Sequence, residues 1–323
     1  MRRHVRHLLG FALVAAALAG CGSGSDHALR LTLAALATPT PVSTQSLPPD
    51  VPGCNGGALK ASLRPPASLP APGAMPPRSF MATIEKRGHL IAGVSTGNLN
   101  LGYLNPFNDQ IQGFEIDLAR ALAQAIFGNT PNDLQLKALT ADQRIPFVQQ
   151  GKVDIVVDVV TITPARRRQV CFSTVYYDGG QRVLVPRSSK AGWLQDLGGK
   201  RVCATKGSAP LDVIKAYPSH PIPFGPPQAI DCLVLLQEGR VAAISTDNAI
   251  LRGFRAQDPY TRRVGTSLAD VPYGMAISKA HPDFVRFVNG VLAQMRTDGA
   301  WRAIYRRWLG RPVQAPPPAT YSR

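Results

Sequence analysis

From about residue 80 onward, short apolar runs alternate with amphipathic segments, and this alternation limits the possible fold more than any other feature. Residues 114–127 carry apolar side chains every three to four positions, as on one face of a helix. Residues 153–157 are almost continuously apolar and predict a buried strand. Because strands that alternate with helices favour parallel sheets, we predict an α/β fold. The region spans about 230 residues, which is long for one such sheet and suits two lobes.

The same patterns predict the remaining elements. The predicted strands are 89–95, 134–139, 153–157, 182–185, 201–204, 241–245 and 273–278. The predicted helices are 114–127, 142–150, 209–216, 228–238, 247–255 and 282–308, the last with a break near Gly299.

Residues 1–20 have the composition of an export signal. Three arginines precede an apolar run of about a dozen residues, too short for a bilayer span of roughly 20. The sequence Leu18-Ala19-Gly20-Cys21 resembles the lipobox of bacterial lipoproteins, which implies that Cys21 becomes a lipidated N-terminus. An ordinary secretory signal with an incidental cysteine is the alternative. We therefore expect a lipid-anchored protein on the extracytoplasmic face of the cell membrane.

Residues 21–79 follow as a lipidated cysteine and a proline-rich linker. Residues 22–79 hold 11 of the 29 prolines, with much glycine, serine, threonine and alanine, and show no sustained apolar period. Such a segment buries too little surface to offset its chain entropy, so we predict a flexible linker, part of which Cys54 could pin to the domain. Residues 311–323 are likewise predicted to be a flexible tail.

Charge and cysteine content limit the partners and the compartment. The formal charge is +16, and it is +13 without residues 1–20. Export argues against a nucleic-acid partner, and the scattered arginines indicate a solvated surface. Outside the cytoplasm, Cys54, Cys171, Cys203 and Cys232 can form disulfides, with three possible pairings. Buried free thiols are the alternative, above all for Cys171 in its apolar context.

Signatures of catalysis and of metal binding are missing from the sequence. It has no Gly-x-Ser-x-Gly elbow, no His-Glu-x-x-His helix and no phosphate loop, and its six histidines lack metal-ligand spacing. We expect no catalytic residue, no metal and no cofactor.

Residues 153–177 form the most informative stretch. A buried strand ends in the hydroxyl of Thr161, and Pro164 then opens a short helix that carries Arg166 in its first turn. Ligands of open α/β sheets bind beyond the carboxyl ends of the strands. A threonine hydroxyl, free helix amides and a forked guanidinium at that point predict a carboxylate receptor. A helix cap beside a surface arginine is the alternative.

This stretch resembles the family-3 extracellular solute-binding proteins, which bind polar amino acids for membrane transporters. The family pattern is approximately D-hydrophobic-x-x-x-x-T-I-T-x-E-R-x-x-x-V-D-F-S-x-P-Y-Y. Residues 113–119 match its G-F-x-V-D-L-A helix start, and residues 239–247 match its G-x-V-D-A-hydrophobic-x-x-D strand end. The resemblance covers roughly residues 80–310. The loop at residues 96–103 departs from the usual family pattern and more closely resembles that of glutamate-binding members from high-GC Gram-positive bacteria, so the resemblance is to the glutamine- and glutamate-binding type.

The resemblance implies a two-lobed periplasmic-binding-protein fold of type II with two hinge strands. Lobe 1 would comprise residues 80–181 and 274–310, and lobe 2 residues 182–273. The chain would cross between the lobes near residues 180–185 and 270–273.

The resemblance also implies which residues bind a ligand. Arg166 would clamp the α-carboxylate with help from Thr161. The carbonyl of Val159 and the carboxylate of Asp247 would hold the α-ammonium, and Asp247 also suits an N-cap.

Further contacts follow from the second lobe and from the first loop. Lys206, Gly207 and Ser208 lie where the family offers backbone amides to the carboxylate. Lys206, Tyr103 and Asn98 could reach the ligand side chain.

Two departures from the family pattern affect the cysteines and the clamp helix. Ala165 and Cys171 replace a glutamate and an aspartate, so local pairing there differs. Cys203 and Cys232 fall where related members carry a cysteine pair. The resemblance therefore implies that bridge and leaves Cys54 and Cys171 as the second pair.

The function that the resemblance implies is delivery of glutamate, aspartate, glutamine or asparagine to the permease of an ABC importer. We expect the binding protein to be a monomer. A sensor subunit that presents its ligand to a membrane signalling protein is the alternative. A few relatives are dehydratases, but no general acid or base stands out in the predicted cleft. A neighbouring permease and ATPase gene would favour transport, and a neighbouring sensor gene would favour signalling.

Overall fold

The computed structural model describes Cys54 and residues 56–322, so the export signal, Cys21 and residues 22–53 lie outside the described residues. The helices are α1 (Phe80–Arg87), α2 (Phe114–Phe127), α3 (Arg144–Gln149), α4 (Pro164–Arg167), α5 (Ala209–Lys215), α6 (Ala229–Gln237), α7 (Asn248–Gln257), α8 (Pro282–Thr297) and α9 (Ala300–Leu309). The strands are β1 (Ala61–Ser62), β2 (Leu90–Val94), β3 (Gly97–Asn98), β4 (Gly102–Asn105), β5 (Gln110–Gln112), β6 (Leu134–Ala138), β7 (Ile155–Val156), β8 (Cys171–Phe172), β9 (Tyr177–Pro186), β10 (Arg201–Cys203), β11 (Ile222–Phe224), β12 (Ala243–Asp247), β13 (Thr261–Tyr273), β14 (Ala276–Ile277) and β15 (Thr320–Tyr321).

The first lobe is built on a sheet with the strand order β6-β2-β7-β14-β8. Strand β2 pairs in parallel with β6 and β7, and β14 runs antiparallel to β7 and β8. Helix α2 buries the predicted apolar face, including Phe114, Leu118 and Leu122. Its N-cap Gly113 has a φ of 141°, and a Cβ there would lie 2.2 Å from the Leu101 carbonyl oxygen. A glycine is therefore required where this helix begins.

The second lobe is built on a sheet with the order β11-β10-β12-β9-β13. Strand β10 pairs in parallel with β11 and β12, and β9 is antiparallel to β12 and β13. Helices alternate with the parallel strands of both sheets, which confirms the predicted α/β class.

Strands β9 and β13 connect the two lobes. They pair from Tyr177 opposite Tyr273 to Pro186 opposite Thr261, with a register shift between Val264 and Ala269. Strand β9 follows β8 of the first sheet, and β13 leads directly into β14 of the first sheet. The chain thus enters the second sheet at Tyr177, slightly before the crossing predicted near residues 180–185.

The prediction of a flexible linker is wrong for Cys54 and residues 56–79, which we call the strap. Strand β1 of the strap pairs in parallel with β15, and Leu63 and Met75 are buried in the core of the first lobe. Asn289 of α8 donates to the carbonyl of Leu63 at 2.7 Å and to the hydroxyl of Ser62 at 2.8 Å. The strap is ordered because a few anchoring side chains suffice where prolines have already restricted the backbone.

The prediction of a flexible tail is likewise wrong for residues 311–322. Strand β15 places Thr320 opposite Ala61 and Tyr321 opposite Ser62. Pro317 is buried, and its carbonyl accepts a hydrogen bond of 3.0 Å from Arg296 Nε. The tail and the strap therefore pack together on the first lobe.

Both expected disulfides are present. Cys203 and Cys232 join β10 to α6 in the second lobe, and Cys54 and Cys171 join the strap to β8. No helix within the described residues has the length and hydropathy that a membrane span requires.

Candidate ligand-binding site

A cleft between the two lobes brings together residues from the carboxyl ends of strands in both sheets. Its polar lining residues are Ser95, Asn98, Arg144, Thr161, Arg166, Thr205, Ser208, Gln228, Thr246 and Asp247. The position agrees with the rule that ligands of α/β sheets bind beyond the strand ends.

Arg166 projects from the short helix α4 into this cleft. Helix α4 begins at Pro164, and the Thr163 hydroxyl caps it by accepting from the Arg166 amide at 3.2 Å. The guanidinium donates to the Thr161 carbonyl at 2.9 Å and, across the cleft, to the Gly207 carbonyl at 2.9 Å. Burial and the neighbouring Arg144 lower the pKa of Arg166 to about 10, so it is still charged at neutral pH.

Asp247 ends strand β12 on the opposite lobe. It occupies the N-cap position of α7, but its side chain makes no capping hydrogen bond. Instead Oδ2 accepts a hydrogen bond of 2.7 Å from the Tyr273 hydroxyl, and Oδ1 is buried without a partner among the described residues. Burial raises the pKa of this carboxyl to about 6. A ligand ammonium would supply the donor that Oδ1 lacks.

Val159 and Thr161, which precede Arg166 in the sequence, line the same cleft. Val159 has a φ of 41°, a left-handed conformation that is strained for a β-branched residue. Its amide donates to Glu115 Oε1 at 2.7 Å, and the Tyr176 hydroxyl donates to the same oxygen. These hydrogen bonds stabilise the strained turn at Val159, the residue whose carbonyl is expected to contact the ligand ammonium.

Glu115 is fully buried at the start of α2 and supports this turn from behind. Burial, with Asp158 nearby, raises its pKa to about 7. It is not among the residues that line the cleft. Glu115 therefore positions backbone groups and has no direct access to a ligand.

Arg144 and Asp158 form a buried ion pair that the sequence analysis missed. Arg144 Nε and Nη2 donate to the two carboxylate oxygens of Asp158 at 2.7 and 3.1 Å. Arg144 lines the cleft, whereas the Asp158 side chain is completely inaccessible. One signal could have revealed the pair, because Asp158 is a charged residue within an apolar run and a buried carboxylate requires a partner.

Of the three predicted contacts at residues 206–208, Ser208 lines the cleft. It is the N-cap of α5, and its hydroxyl accepts from the Leu211 amide at 3.3 Å. Gly207 contributes the carbonyl that accepts from Arg166. Lys206 is not among the lining residues, and its exposed ammonium pairs with Asp142 of the first lobe at 3.4 Å.

Tyr103, which was predicted to reach the ligand side chain, is not among the residues that line the cleft. Its hydroxyl accepts a hydrogen bond of 2.6 Å from Gln112 Nε2, and its ring packs edge-on against Trp308. It lines a separate groove outside the cleft. Asn98 of the same loop does line the cleft, and its Oδ1 is buried without a partner in the described part of the chain. The hairpin β3-β4 turns the two side chains to different surfaces, which residue order does not reveal.

The charges around the cleft suit a ligand with both a carboxylate and an ammonium group. Arg144 is neutralised by Asp158, so Arg166 supplies the positive group of the lining and Asp247 supplies the negative one. No metal-binding cluster of histidine, cysteine or acidic residues occurs within the described residues.

Residues 90–311 match the sequence profile of the bacterial extracellular solute-binding proteins, family 3. The chain belongs to this family. It is 33% identical over 258 residues to the ABC transporter glutamine-binding protein GlnH of Bacillus subtilis, which covers 80% of this chain and 89% of the relative. It is 35% identical over 205 residues to the glutamine-binding protein of Geobacillus stearothermophilus, which covers 63% of this chain and 78% of the relative.

Solved structures agree with the family assignment. An ancestral arginine-binding protein bound to glutamine has a TM-score of 0.65 and 31% identity to this solute-binding protein, over 70% of this chain and 99% of that chain. The resemblance drawn from the three motifs is therefore confirmed, as is the two-lobed fold. The strap precedes the residues that match the family profile.

Proposed function

We propose that this solute-binding protein is an extracytoplasmic lipoprotein that captures a polar or acidic L-amino acid for an ABC importer. The observation that carries the proposal is the pairing of Arg166 with Asp247 across one cleft. A guanidinium binds an α-carboxylate, and a buried carboxylate oxygen without a partner accepts from an α-ammonium. The relatives named as glutamine-binding proteins support an amino acid as the ligand.

Glutamine, glutamate, asparagine and aspartate are the four candidate ligands. Besides Arg166 and Asp247, the cleft is lined by Ser95, Asn98, Thr205 and Gln228, which are uncharged hydrogen-bonding groups. Such groups suit a short polar side chain. Two relatives named for glutamine support the amide members of this set, and direct binding measurements must rank the four.

Binding would stabilise the closed arrangement of the lobes. Arg166 belongs to the first lobe, and both Gly207 and Asp247 belong to the second, so a ligand held between them contacts both. A ligand shifts a conformational equilibrium only by its difference in affinity for the two states. A zwitterion bridging the lobes supplies that difference in favour of the closed state.

Calorimetric titration of the purified full chain with the four amino acids, arginine and histidine tests this proposal. We expect binding of at least one of the four, and Arg166→Ala should abolish it without lowering the melting temperature. Arg168→Ala is the matched control, because Arg168 is exposed on the same short segment and its loss changes the net charge equally. If the unmodified protein binds no amino acid, the proposed function is wrong.

We also propose that Cys21 anchors the protein by a lipid. The support is the lipobox-like sequence Leu18-Ala19-Gly20-Cys21. In detergent phase partitioning of expressing cells, the unmodified protein should enter the detergent phase, and Cys21→Ser should remain in the aqueous phase. Equal partitioning of the two would contradict lipidation. The monomeric state and an origin in a high-GC Gram-positive bacterium stay predictions.

A further inference from the structure

The strap contacts the back of the segment that carries the ligand clamp. We call residues 161–172, from Thr161 through α4 to the end of β8, the clamp segment. Its cleft side presents Thr161 and Arg166, and its opposite side faces the strap. The strap lies before the family-matched residues 90–311.

Arg167 makes the most extensive of these contacts. Its guanidinium donates to the carbonyl oxygens of Leu59 at 2.7 Å, Gly56 at 3.1 Å and Cys54 at 3.4 Å, and also to that of Ala58. The residue is 8% exposed. Few side chains can serve so many carbonyls at once, and the planar guanidinium with five N–H donors is suited to it.

Arg166 and Arg167 are consecutive residues on a helix of one turn, so their side chains leave it in different directions. Arg166 reaches into the cleft, and Arg167 reaches into the strap. A rigid displacement of α4 would therefore move the backbone that carries both guanidinium groups. The position of the clamp is mechanically linked to the strap through a single turn of helix.

Three further ties fix the far end of the clamp segment and the strand beyond it. Cys54 is covalently bonded to Cys171, and the Ser62 hydroxyl donates to the Phe172 carbonyl at 2.6 Å. Lys60 pairs with Asp178 at 2.8 Å, on the hinge strand β9. The strap thus holds the clamp segment from α4 to the start of the hinge.

We propose that the strap positions the ligand clamp, with Arg167 and the Cys54–Cys171 bridge as the positioning residues that keep Arg166 ordered before a ligand arrives. The inference rests on the proposed function for its effect on affinity. A side chain that is already ordered loses less conformational entropy on binding, so a clamp held in place binds more tightly. Loosening the strap should weaken binding without changing any residue that lines the cleft.

Amide hydrogen exchange of residues 164–170 in the ligand-free full chain tests the positioning directly. In Arg167→Ala we expect faster exchange over these residues and a Kd for the bound amino acid that rises on the order of tenfold. Arg168→Ala, with the same loss of charge on an exposed neighbour, should change neither quantity. Arg167→Lys keeps the charge but reaches fewer carbonyls, so it should be intermediate, and it serves if the alanine variant fails to fold.

The disulfide gives a second, independent comparison. Cys54→Ser with Cys171→Ser should also speed exchange over residues 164–170. Cys203→Ser with Cys232→Ser, which opens the bridge of the other lobe, should leave that exchange unchanged. Unchanged exchange over residues 164–170 in both Arg167→Lys and the first cysteine pair would overturn the proposal. If the unmodified protein binds an amino acid, an unchanged Kd in both Arg167→Lys and the Cys54→Ser, Cys171→Ser variant would also overturn the proposal. If it binds none, the proposed function fails while the exchange comparison still decides whether the strap positions the clamp segment.

Discussion

At Asp247 the backbone and the side chain serve different purposes. The residue stands at the start of α7, where an aspartate is a common cap, yet its carboxylate accepts from Tyr273 and faces the cleft. Burial raises its pKa to about 6, because the charged form loses its hydration. The charge that a ligand ammonium requires is therefore present above that pH and is lost below it.

We expect the affinity for the amino acid to fall when the pH is lowered through about 6. An ammonium favours the ionised form of Asp247, so Kd should rise by up to about tenfold for each pH unit below the pKa of the ligand-free protein. Titrations at about pH 8, 6 and 5 measure the effect. Asp247→Asn should bind weakly at all three values, with a flatter dependence. A Kd for the unmodified protein that is constant from about pH 8 to 5 would contradict a titrating Asp247 in the site.

The strand that precedes the clamp segment is shorter than predicted, and the chain turns at Val159 instead. The apolar run predicted a strand over residues 153–157, and the structure retains Ile155–Val156. The turn at Val159 has a left-handed φ that is held by the buried carboxylate of Glu115. Residues distant in sequence therefore stabilise a conformation that local propensity opposes.

Among the elements, α2, α8 and α9 were predictable because their apolar periods are long. Helix α2 spans the predicted Phe114–Phe127, and Gly299 separates α8 from α9 with a φ of 85°. The strap was not predictable, because its few buried residues lie between prolines and form no period. Its order depends on partners such as Asn289, which is more than two hundred residues away in the chain.

Asn289 should be essential to the stability of the strap and of the first lobe. It is completely buried, donates to Ser62 and Leu63, and accepts from the Thr174 amide at 2.7 Å. Asn289→Ala leaves these groups without their partner, which should cost about 2–4 kcal/mol of unfolding free energy. Chemical denaturation measures the loss. Gln294→Ala, at an exposed position of the same helix, should cost under about 0.5 kcal/mol. Equal stability of the two variants would show that the strap contacts do not contribute.

At the scale of the whole molecule, closure of the lobes depends on how closely their surfaces approach. Gly207 of the second lobe lies against Asp142 of the first, where an added Cβ would be 3.0 Å from the Asp142 Cα. The φ of Gly207 is 74°. The Lys206–Asp142 ion pair beside it is exposed and contributes little free energy. How closely the lobes approach here therefore depends on the steric fit of Gly207 against Asp142.

Gly207→Ala should hinder closure and weaken ligand binding, with Kd rising on the order of tenfold. Gly199→Ala is the control, because Gly199 has a similar φ of 68° but nothing within 4 Å of an added Cβ. Both variants lose some stability from backbone strain, and only Gly207→Ala should lose affinity. Small-angle scattering should show that saturating ligand compacts the control more fully than the Gly207 variant. Equal affinities would indicate that this contact is not part of closure.

The sequence by itself determined the α/β class, the main helices and sheets, and the clamp motif around Arg166. These follow from local periodicity and from residues that are close together in the chain. Only the tertiary structure decided that Tyr103 leaves the cleft, that Arg144 pairs with Asp158, and that the strap is ordered. Each of these depends on burial between segments far apart in sequence, where the cost of an unpaired polar group selects the partner.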